Sequence, residues 1–265
     1  MIRRPPRSTL SSSSAASDVY KRQTQNRLSI LAACEDPETV ATYEYNGQVW
    51  PLPQTGQMWL EHELLNKPNS KGFFCVSTSY RQEPNAIPGR HDIIFPMFEF
   101  EFPGNIDDLK AMEYELVDYL GFEKPTEKTY AEWQKHYGWG EHSDLTAEDE
   151  GKMYDEFTTA LITDFPEFTS PFWNMSRYED GITSKKIDVI LGGMETIGSA
   201  ERSTDVEQMR DTFHTITDGQ YSQLLYNLFG KDRVEAELEE FLKFEFFPRV
   251  GGGIGMTRMI AALEK

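Results

Sequence analysis

Hydrophobic and polar positions in the first half of the chain predict a hairpin, a helix and two strands. Two short alternating runs flank Asn46-Gly47, which predicts a hairpin with a two-residue turn. Residues 57–65 are predicted to form a helix, and residues 72–81 and 95–102 are predicted to form strands. Every second residue of the later strand shares one face of a sheet. These residues are Phe95, Met97 and Glu99, and the same spacing extends to Glu101.

The second half of the chain is predicted to contain one further hairpin and several helices. Residues 106–120 carry apolar side chains at helical spacing, with Asn105 as the N-cap. Residues 123–156 are charged and aromatic with weak periodicity, so we expect a solvent-facing insertion there. A hairpin turning at Gly192-Gly193 precedes helices that extend to about Lys243. Hairpins first and helices later predict an α+β fold, not alternating βαβ units.

Composition indicates one domain with a substantial core, since the 265 residues are 38% hydrophobic and 13% aromatic. No run approaches the roughly 18 apolar residues that span a bilayer, and two cysteines (Cys34 and Cys75) are too few for a disulfide framework. We therefore expect a soluble, cytoplasmic protein without a membrane partner. The formal net charge of −18 opposes a large nucleic-acid footprint, although a local basic patch is compatible with it.

Residues 1–23 differ in character from the rest of the chain. They are polar and rich in serine, without the apolar core of a signal peptide. Their arginine and serine content would suit a transit peptide, but the segment more closely resembles a translated sequencing adapter. We therefore expect residues 1–23 to be non-native and disordered, and the domain to comprise residues 24–265.

The most informative motif is the glycine-rich stretch at residues 247–258, F-P-R-V-G-G-G-I-G-M-T-R. A strand is predicted to lead into the glycines, and a helix is predicted to begin with Arg258 in its first turn. Glycine lets a backbone approach a ligand closely and a guanidinium can hold a phosphate, so the motif indicates a phosphate site. A plain turn before a helix is the alternative. A dinucleotide-binding loop is excluded, because Arg258 stands where its third glycine belongs.

The loop between the two predicted strands of the first half carries further candidate residues. Arg81 ends the first strand, Arg90-His91 follows on the loop, and Phe95 lies on the returning strand. They offer a cation for a phosphate, a basic pair for a polyphosphate and an aromatic face for a base. The alternative is a surface hairpin whose charges are only solvated.

The hairpin at Gly192-Gly193 carries candidate metal ligands. With a two-residue turn, Ile190 pairs with Glu195, and Asp188 shares the same face on the diagonal. Two carboxylates on one face can bind Mg²⁺ beside phosphates, since this ion prefers a few carboxylates together with substrate oxygens. The alternative is an exposed acidic sheet face.

Together these motifs resemble the catalytic core of class II aminoacyl-tRNA synthetases of the aspartyl, asparaginyl and lysyl subgroup, most of all the asparaginyl enzymes. The R-x-E pattern at Arg81, with its loop and aromatic strand, resembles the second signature motif of that family, and G-G-G-I-G-M-T-R resembles the third. The D-x6-E-x6-R spacing of Asp188, Glu195 and Arg202 is similar to the segment between them. The resemblance spans about residues 30–265. It implies an antiparallel β-sheet flanked by helices that activates an amino acid with ATP.

The resemblance also implies roles for individual residues. Arg81 would hold the α-phosphate of ATP, and Phe95 with Arg258 would sandwich the adenine. His91 and Arg258 would hold the γ-phosphate of a bent ATP, beside Mg²⁺ on the two carboxylates. The residues implied for ATP binding are Arg81, Glu83, Arg90, His91, Phe95, Glu195, Gly255 and Arg258. Those implied for catalysis are Arg81, Glu195 and Arg258.

For the amino acid, the resemblance implies a site formed by Glu35, Gln57, Glu61, Arg81 and Arg202. Glu35 would meet the α-amino group, and Glu61 could accept from a side-chain amide. Leu60 stands where the aspartyl enzymes carry a lysine that pairs with the substrate carboxylate, which favours asparagine over aspartate. Arg202 suits either a carboxylate or an amide oxygen, so both amino acids stay open.

Two features of the family are not recognisable in the sequence: the first signature motif, which builds the family's homodimer interface, and an N-terminal anticodon-binding barrel. Ile94 also replaces the usual glutamate before the aromatic residue. Three functions remain open: a tRNA ligase or a fragment of one, a stand-alone paralogue that makes asparagine from aspartate and ammonia, and a binding module without turnover. The retained Arg81, Glu195 and Arg258 count against the last.

Overall fold

The structure, a computed structural model, describes residues 28–84 and 86–265. The expectation for residues 1–23 lies outside the described residues. Within them, no helix is long and apolar enough to cross a membrane. Cys34 is buried, and Cys75 is partly buried.

The centre of the fold is a seven-stranded sheet, and a separate hairpin has two strands. The strands are β1 Thr42–Tyr45, β2 Gln48–Pro51, β3 Phe73–Tyr80, β4 Ile94–Pro103, β5 Thr126–Thr129, β6 Thr159–Pro166, β7 Thr183–Leu191, β8 Met194–Arg202 and β9 Arg249–Gly255. The large sheet has the order β3-β4-β9-β8-β7-β6-β5, and β1 pairs with β2 in the hairpin. All neighbours in the large sheet are antiparallel except the β5–β6 pair. The predicted α+β class is confirmed.

Helices pack on both faces of this sheet. They are α1 Gln57–Asn66, α2 Ile106–Tyr119, α3 Tyr130–Tyr137, α4 Ala147–Phe157, α5 Val206–Thr215, α6 Gln220–Phe229, α7 Lys231–Phe241 and α8 Met256–Leu263. Helix α2 begins at a capping box, in which the Asn105 side chain accepts from the backbone N–H groups of Asp107 and Asp108. The predicted N-cap is therefore confirmed.

Strand alternation gives the sheet one apolar face and one polar face. The apolar face packs against α2 and α8 in a core that includes Phe100, Ile187, Val189 and Val250. The opposite face carries Glu99, Glu101, Asp188 and Arg202, all of them buried. A second core joins the segment 30–34 to Trp173 and helices α5, α6 and α7. Buried charges on a sheet face need partners, so this polar face is where a site is expected.

The segment 123–156 is not the solvent-facing insertion that its composition predicts. Strand β5 extends the sheet by pairing with β6, and α3 and α4 cover this end of the sheet. Tyr130, Trp133 and Met153 are almost completely buried in a core of their own. The outer faces of the two short helices are charged, so the sequence pattern does not show that their aromatic residues face inward. The prediction of a solvent-facing insertion is wrong for this reason.

Candidate active site

The polar face of the sheet forms the floor of a cavity of about 450 Å³. The cavity is bordered by β4, β8 and β9, by the loop after β3, and by the start of α1. Residues singled out in the sequence that line it are Glu35, Gln57, Glu61, Arg81, Glu83, Arg90, His91, Phe95, Glu195, Arg202, Gly255 and Arg258. Asp188 does not itself line the cavity, but its ion-pair partner Lys186 does. The structure therefore brings together residues that are up to 223 positions apart, from Glu35 to Arg258.

The glycines of β9 make room on the cavity floor. A Cβ atom at Gly251 would overlap the side chains of Glu101 and Gln57, and one at Gly253 would lie 2.7 Å from Met97 Cε. Met97 Cε is the end of a flexible side chain and can move, whereas Glu101 is buried and held by Gln57. Gly251 is therefore the position that needs glycine for the close approach of its neighbours. Strand β9 ends at Gly255, and α8 follows directly with Arg258 in its first turn. The predicted strand–glycine–helix order is confirmed.

At one end of the cavity, the lining residues Glu61 and Arg202 are buried beside a further acidic residue, Glu101, and a further arginine, Arg249. Glu61 Oε2 accepts from Arg249 Nε at 3.1 Å and Nη2 at 2.7 Å, while Asn174 Nδ2 donates to Glu61 Oε1 at 2.7 Å. Arg202 Nε lies 3.4 Å from Glu101 Oε1, without hydrogen-bond geometry. Glu61 thus has both oxygens engaged, and it fixes the wall of the cavity.

Burial raises the pKa of Glu101, and the neighbouring Arg202 guanidinium opposes that shift. Gln57 Nε2 donates to the same carboxyl and to the Phe100 carbonyl, the latter at 2.9 Å. Sequence reasoning gave Glu101 no role. The alternation of side chains along β4 continues past Glu99, and it places the Glu101 side chain on the polar face.

Glu99 is a second buried carboxyl on the cavity lining that sequence reasoning left without a role. Its side chain accepts from the hydroxyls of Thr55 and Ser77 and from the Gly56 backbone N–H, the last at 2.8 Å. Burial raises the pKa of Glu99, and these three donors oppose the shift. The Glu99 carboxyl on β4 therefore links the start of α1 to β3 through hydrogen bonds, beneath Gln57.

The opposite end of the cavity carries partly exposed cations. Arg81 Nη2 donates to Glu35 Oε2 at 2.9 Å, and the Arg81 guanidinium lies 5.7 Å from the centre of the Phe95 ring. The side chains of Arg81 and Glu35 are 32% and 47% exposed. His91 Nδ1 accepts from the Ile87 backbone N–H at 3.3 Å, within the loop. An aromatic ring beside a guanidinium suits a planar base next to a phosphate.

Two further cations at this end hold the first residues of β8. Arg258 Nη1 donates to the Glu195 carbonyl at 2.7 Å. Arg90 Nη2 donates to Glu150 Oε1 at 2.7 Å, and Glu150 Oε2 accepts from the Glu195 backbone N–H at 2.9 Å. Sequence reasoning missed Glu150, which lies on α4 in the segment wrongly expected to face solvent.

The hairpin of β7 and β8 has the predicted turn. Ile190 pairs with Glu195 as expected, but a bulge between Val189 and Ile190 moves the partner of Asp188 to Gly198. The bulge adds one residue to β8 and is not readable from the sequence. A Cβ atom at Gly198 would lie 2.8 Å from Glu195 Oε1 and 3.5 Å from Asp188 Oδ1. Both carboxylates therefore lie over this glycine.

The carboxylates of Asp188 and Glu195 can supply only part of the ligand shell of a Mg²⁺ ion. Asp188 Oδ1 is buried and has no hydrogen-bond partner among the described residues, while Oδ2 accepts from Lys186 Nζ at 2.6 Å. Burial raises the pKa of Asp188, and Lys186 opposes the shift. Among the described residues, no group of three or more His, Cys, Asp or Glu side chains is placed to hold a metal. Mg²⁺ commonly takes one or two carboxylates and completes its shell with substrate phosphates, so the donors present suit such an ion.

The mixed α+β fold, with its mostly antiparallel seven-stranded sheet, is that of a class II tRNA synthetase core. The sequence matches the family model of tRNA synthetases class II (D, K and N) over residues 33–265, and the chain belongs to this family. A search of curated proteins finds no match.

Solved structures with the same fold include asparaginyl-tRNA synthetase from Pyrococcus horikoshii, complexed with asparaginyl-adenylate. It has a TM-score of 0.74 and 18% identity, over 89% of this chain and 58% of that one. The Entamoeba histolytica asparaginyl-tRNA synthetase in complex with asparaginyl-adenylate has a TM-score of 0.70 and 20% identity, over 86% and 56%. Aspartyl tRNA synthetase from Entamoeba histolytica has a TM-score of 0.63 and 20% identity, over 80% and 49%. The chain thus spans about half the length of these proteins, from 49% to 58%.

Proposed function

We propose that this protein activates an amino acid with ATP, forming an aminoacyl-adenylate and pyrophosphate. The observation that carries the proposal is the division of one cavity into two ends. One end offers cations and an aromatic ring to a nucleotide, and the other offers a small buried polar pocket to an amino acid. Two similar structures are complexes with asparaginyl-adenylate, the product of such a reaction.

In the proposed step, a carboxylate oxygen of the amino acid attacks the α-phosphorus of ATP in line with the bond to the β-phosphate. That bond breaks, and pyrophosphate leaves. Arg81 stabilises charge on the α-phosphate, Phe95 and Arg258 hold the adenine between them, and Arg90 and His91 bind the polyphosphate. Because no protein nucleophile is needed, positioning and electrostatic stabilisation carry the catalysis.

Asp188 and Glu195 would hold Mg²⁺, which would neutralise charge on the phosphate oxygens. Lys186 already supplies one fixed positive charge beside Asp188, at 2.6 Å. It keeps one oxygen of that carboxyl occupied, while the other, unpartnered oxygen stays available. The proposed ion would therefore depend on the nucleotide for most of its ligands.

The charges at the buried end favour asparagine as the amino acid. Arg202 and Arg249 are matched by Glu101 and Glu61, all of them at most 5% exposed. A substrate carboxylate would add an unmatched negative charge there, which burial makes costly, whereas an amide adds none. Leu60 is 1% exposed and supplies no additional cation.

We propose that the acyl acceptor is the 3′ end of a tRNA in the cytoplasm, as the family implies. The net charge of −18 favours a second candidate, in which an activated β-carboxylate of aspartate is captured by ammonia. The charge-balanced pocket disfavours this candidate, because its substrate carries the additional carboxylate. Charging of tRNA and ammonia-dependent formation of asparagine distinguish the two.

The first test is ATP–pyrophosphate exchange with asparagine and with aspartate. We expect exchange with asparagine, and its loss in Arg81→Ala by at least about a thousandfold, because a charge-stabilising cation is removed. Arg210→Ala is the matched control, since the Arg210 side chain is 30% exposed in an ion pair on α5, compared with 32% for Arg81. Retained exchange in Arg81→Ala would disprove the phosphate role of that residue.

A second test addresses the choice between the two amino acids. Glu101→Gln removes the negative charge beside Arg202 and leaves that guanidinium free to pair with a substrate carboxylate. We expect the ratio of kcat/KM for aspartate to that for asparagine to rise about tenfold or more. An unchanged ratio would show that Glu101 does not set the preference.

A further inference from the structure

The Glu150 side chain joins three parts of the molecule that are far apart in the sequence. It lies on α4 and is 4% exposed. One carboxylate oxygen accepts from Arg90, 60 residues away on the loop after β3, and the other accepts from the backbone of Glu195, 45 residues away on β8. A buried carboxylate with both oxygens engaged holds its partners in one arrangement.

The backbone of Glu195 is held on both sides of its Cα atom. Its N–H donates to Glu150 at 2.9 Å, and its carbonyl accepts from Arg258 at 2.7 Å. These two bonds fix the orientation of the backbone from which the Glu195 side chain extends over Gly198. Three of the residues assigned to the nucleotide (Arg90, Glu195 and Arg258) are therefore connected through Glu150 and the backbone of Glu195.

The Arg90 guanidinium is oriented by Glu150 and still has N–H donors available for a ligand. Among the described residues, Glu150 is the one hydrogen-bond partner of the Arg90 side chain, and the bond uses only Nη2. A guanidinium has five N–H donors in a planar fork, so the others can still meet a phosphate. The Arg90 side chain is 17% exposed and lines the cavity. A loop cation held in this way does not have to be ordered when ATP binds.

We propose that Glu150 is a positioning residue for the polyphosphate of ATP, acting through Arg90 and through the backbone of Glu195. The inference rests on the proposed function, since it assumes that the cavity binds ATP. Coulomb's law alone gives the opposite expectation, because a carboxylate close to a polyanion weakens its binding. If removing the Glu150 charge weakens ATP binding, Glu150 acts by positioning; if it strengthens ATP binding, Glu150 acts only by charge repulsion.

The test is ATP and AMP binding to the full chain, measured by isothermal titration calorimetry with Glu150→Gln. The glutamine keeps the shape of the side chain, but its amide can no longer accept from both Arg90 and Glu195. We expect ATP to bind about tenfold more weakly and AMP to bind within about twofold of the wild type. Glu148→Gln is the control on the same helix, because it removes the same charge from a side chain that is 80% exposed and paired with Lys152.

Equal or tighter ATP binding by Glu150→Gln would overturn the inference, and so would an equal loss for AMP. Thermal unfolding checks that the variant is folded. If it is not, Arg90→Ala breaks the same ion pair from the loop and should weaken ATP binding while leaving AMP binding unchanged; unchanged ATP binding would again overturn the inference. Failure of the wild type to bind ATP would instead refute the proposed function itself.

Discussion

The two ends of the cavity hold their cations by different means. At the end proposed to bind the amino acid (the amino-acid end), Arg202 and Arg249 extend from neighbouring strands and are buried against Glu101 and Glu61. At the end proposed to bind the nucleotide (the nucleotide end), the cations extend from a loop, the end of a strand and the start of a helix, and several are partly exposed. Arg81, for example, meets Glu35 in a pair that is about one third to one half exposed.

This difference shows what each end can do. Buried pairs on adjacent strands are costly to break and cannot be rearranged cheaply, so they suit discrimination between small, similar side chains. Exposed pairs contribute little to stability and are easily exchanged for a ligand, so they suit the binding and release of phosphates. Stability and specificity are therefore expected to depend on the amino-acid end, and nucleotide affinity on the other end.

The largest expected effect is the loss of a buried arginine. Arg249→Met leaves Glu61 buried without its guanidinium, so we expect the free energy of unfolding to fall by about 3–5 kcal/mol. Arg81→Met removes the same charge from the exposed end and is expected to cost less than about 1 kcal/mol. Urea denaturation of both variants measures the contrast. Equal losses would show that the two ends do not differ in the way described.

The free energy of unfolding is expected to depend on pH through a buried carboxyl that has no cation partner in the described part of the chain. Glu113 lies on α2 beneath the floor and accepts from Ser199 Oγ at 2.5 Å, and burial raises its pKa to about 8. The folded state therefore holds this proton more tightly than the unfolded state. Its contribution to stability falls as the pH rises from about 4.5 to about 8.

Glu113→Gln should abolish this dependence. We expect the variant to gain stability relative to the wild type between pH 5 and pH 9, by an amount on the order of 2–4 kcal/mol. Urea denaturation at the two pH values provides the measurement, with Glu115→Gln as an exposed control on the same helix. Parallel pH profiles for the wild type and Glu113→Gln would mean that Glu113 titrates normally.

Much of the fold could be predicted from the sequence, because its signals are local. The Asn105 cap, the hairpin turn at Gly192-Gly193 and the strand–glycine–helix order at the C-terminus each depend on a few adjacent residues. The segment 123–156 was predicted wrongly, because its inward-facing aromatic residues become a core only when α3 and α4 pack on the sheet edge.

Residue type and spacing made Arg81 and Arg258 candidate site residues, and both line the same cavity in the fold. The residues that were missed act through partners distant in the sequence. Glu150 is significant only because Arg90 and Glu195 meet it in the fold, and Lys186 only because it lies beside Asp188. No local pattern marks such contacts, since they depend on how separate elements pack.

A smaller effect is expected from the aromatic ring at the nucleotide end. Phe95→Leu keeps an apolar side chain but removes the flat face proposed to stack on adenine, so we expect KM for ATP to rise about tenfold. Phe74→Leu, on the edge strand and 49% exposed, is the control and should leave KM unchanged. An unchanged KM in Phe95→Leu would place the base elsewhere in the cavity.

The smallest effect is expected from the exposed pair itself. Glu35→Gln removes the charge that meets Arg81 at 2.9 Å, but both side chains remain solvated, so the free energy of unfolding should change by less than about 0.5 kcal/mol. The change should also shrink when salt is raised, because exposed charges are screened. Urea denaturation at low and high salt tests this. A loss of several kcal/mol would mean that this pair is as integral to the fold as Glu61 and Arg249, and the contrast between the two ends would fail.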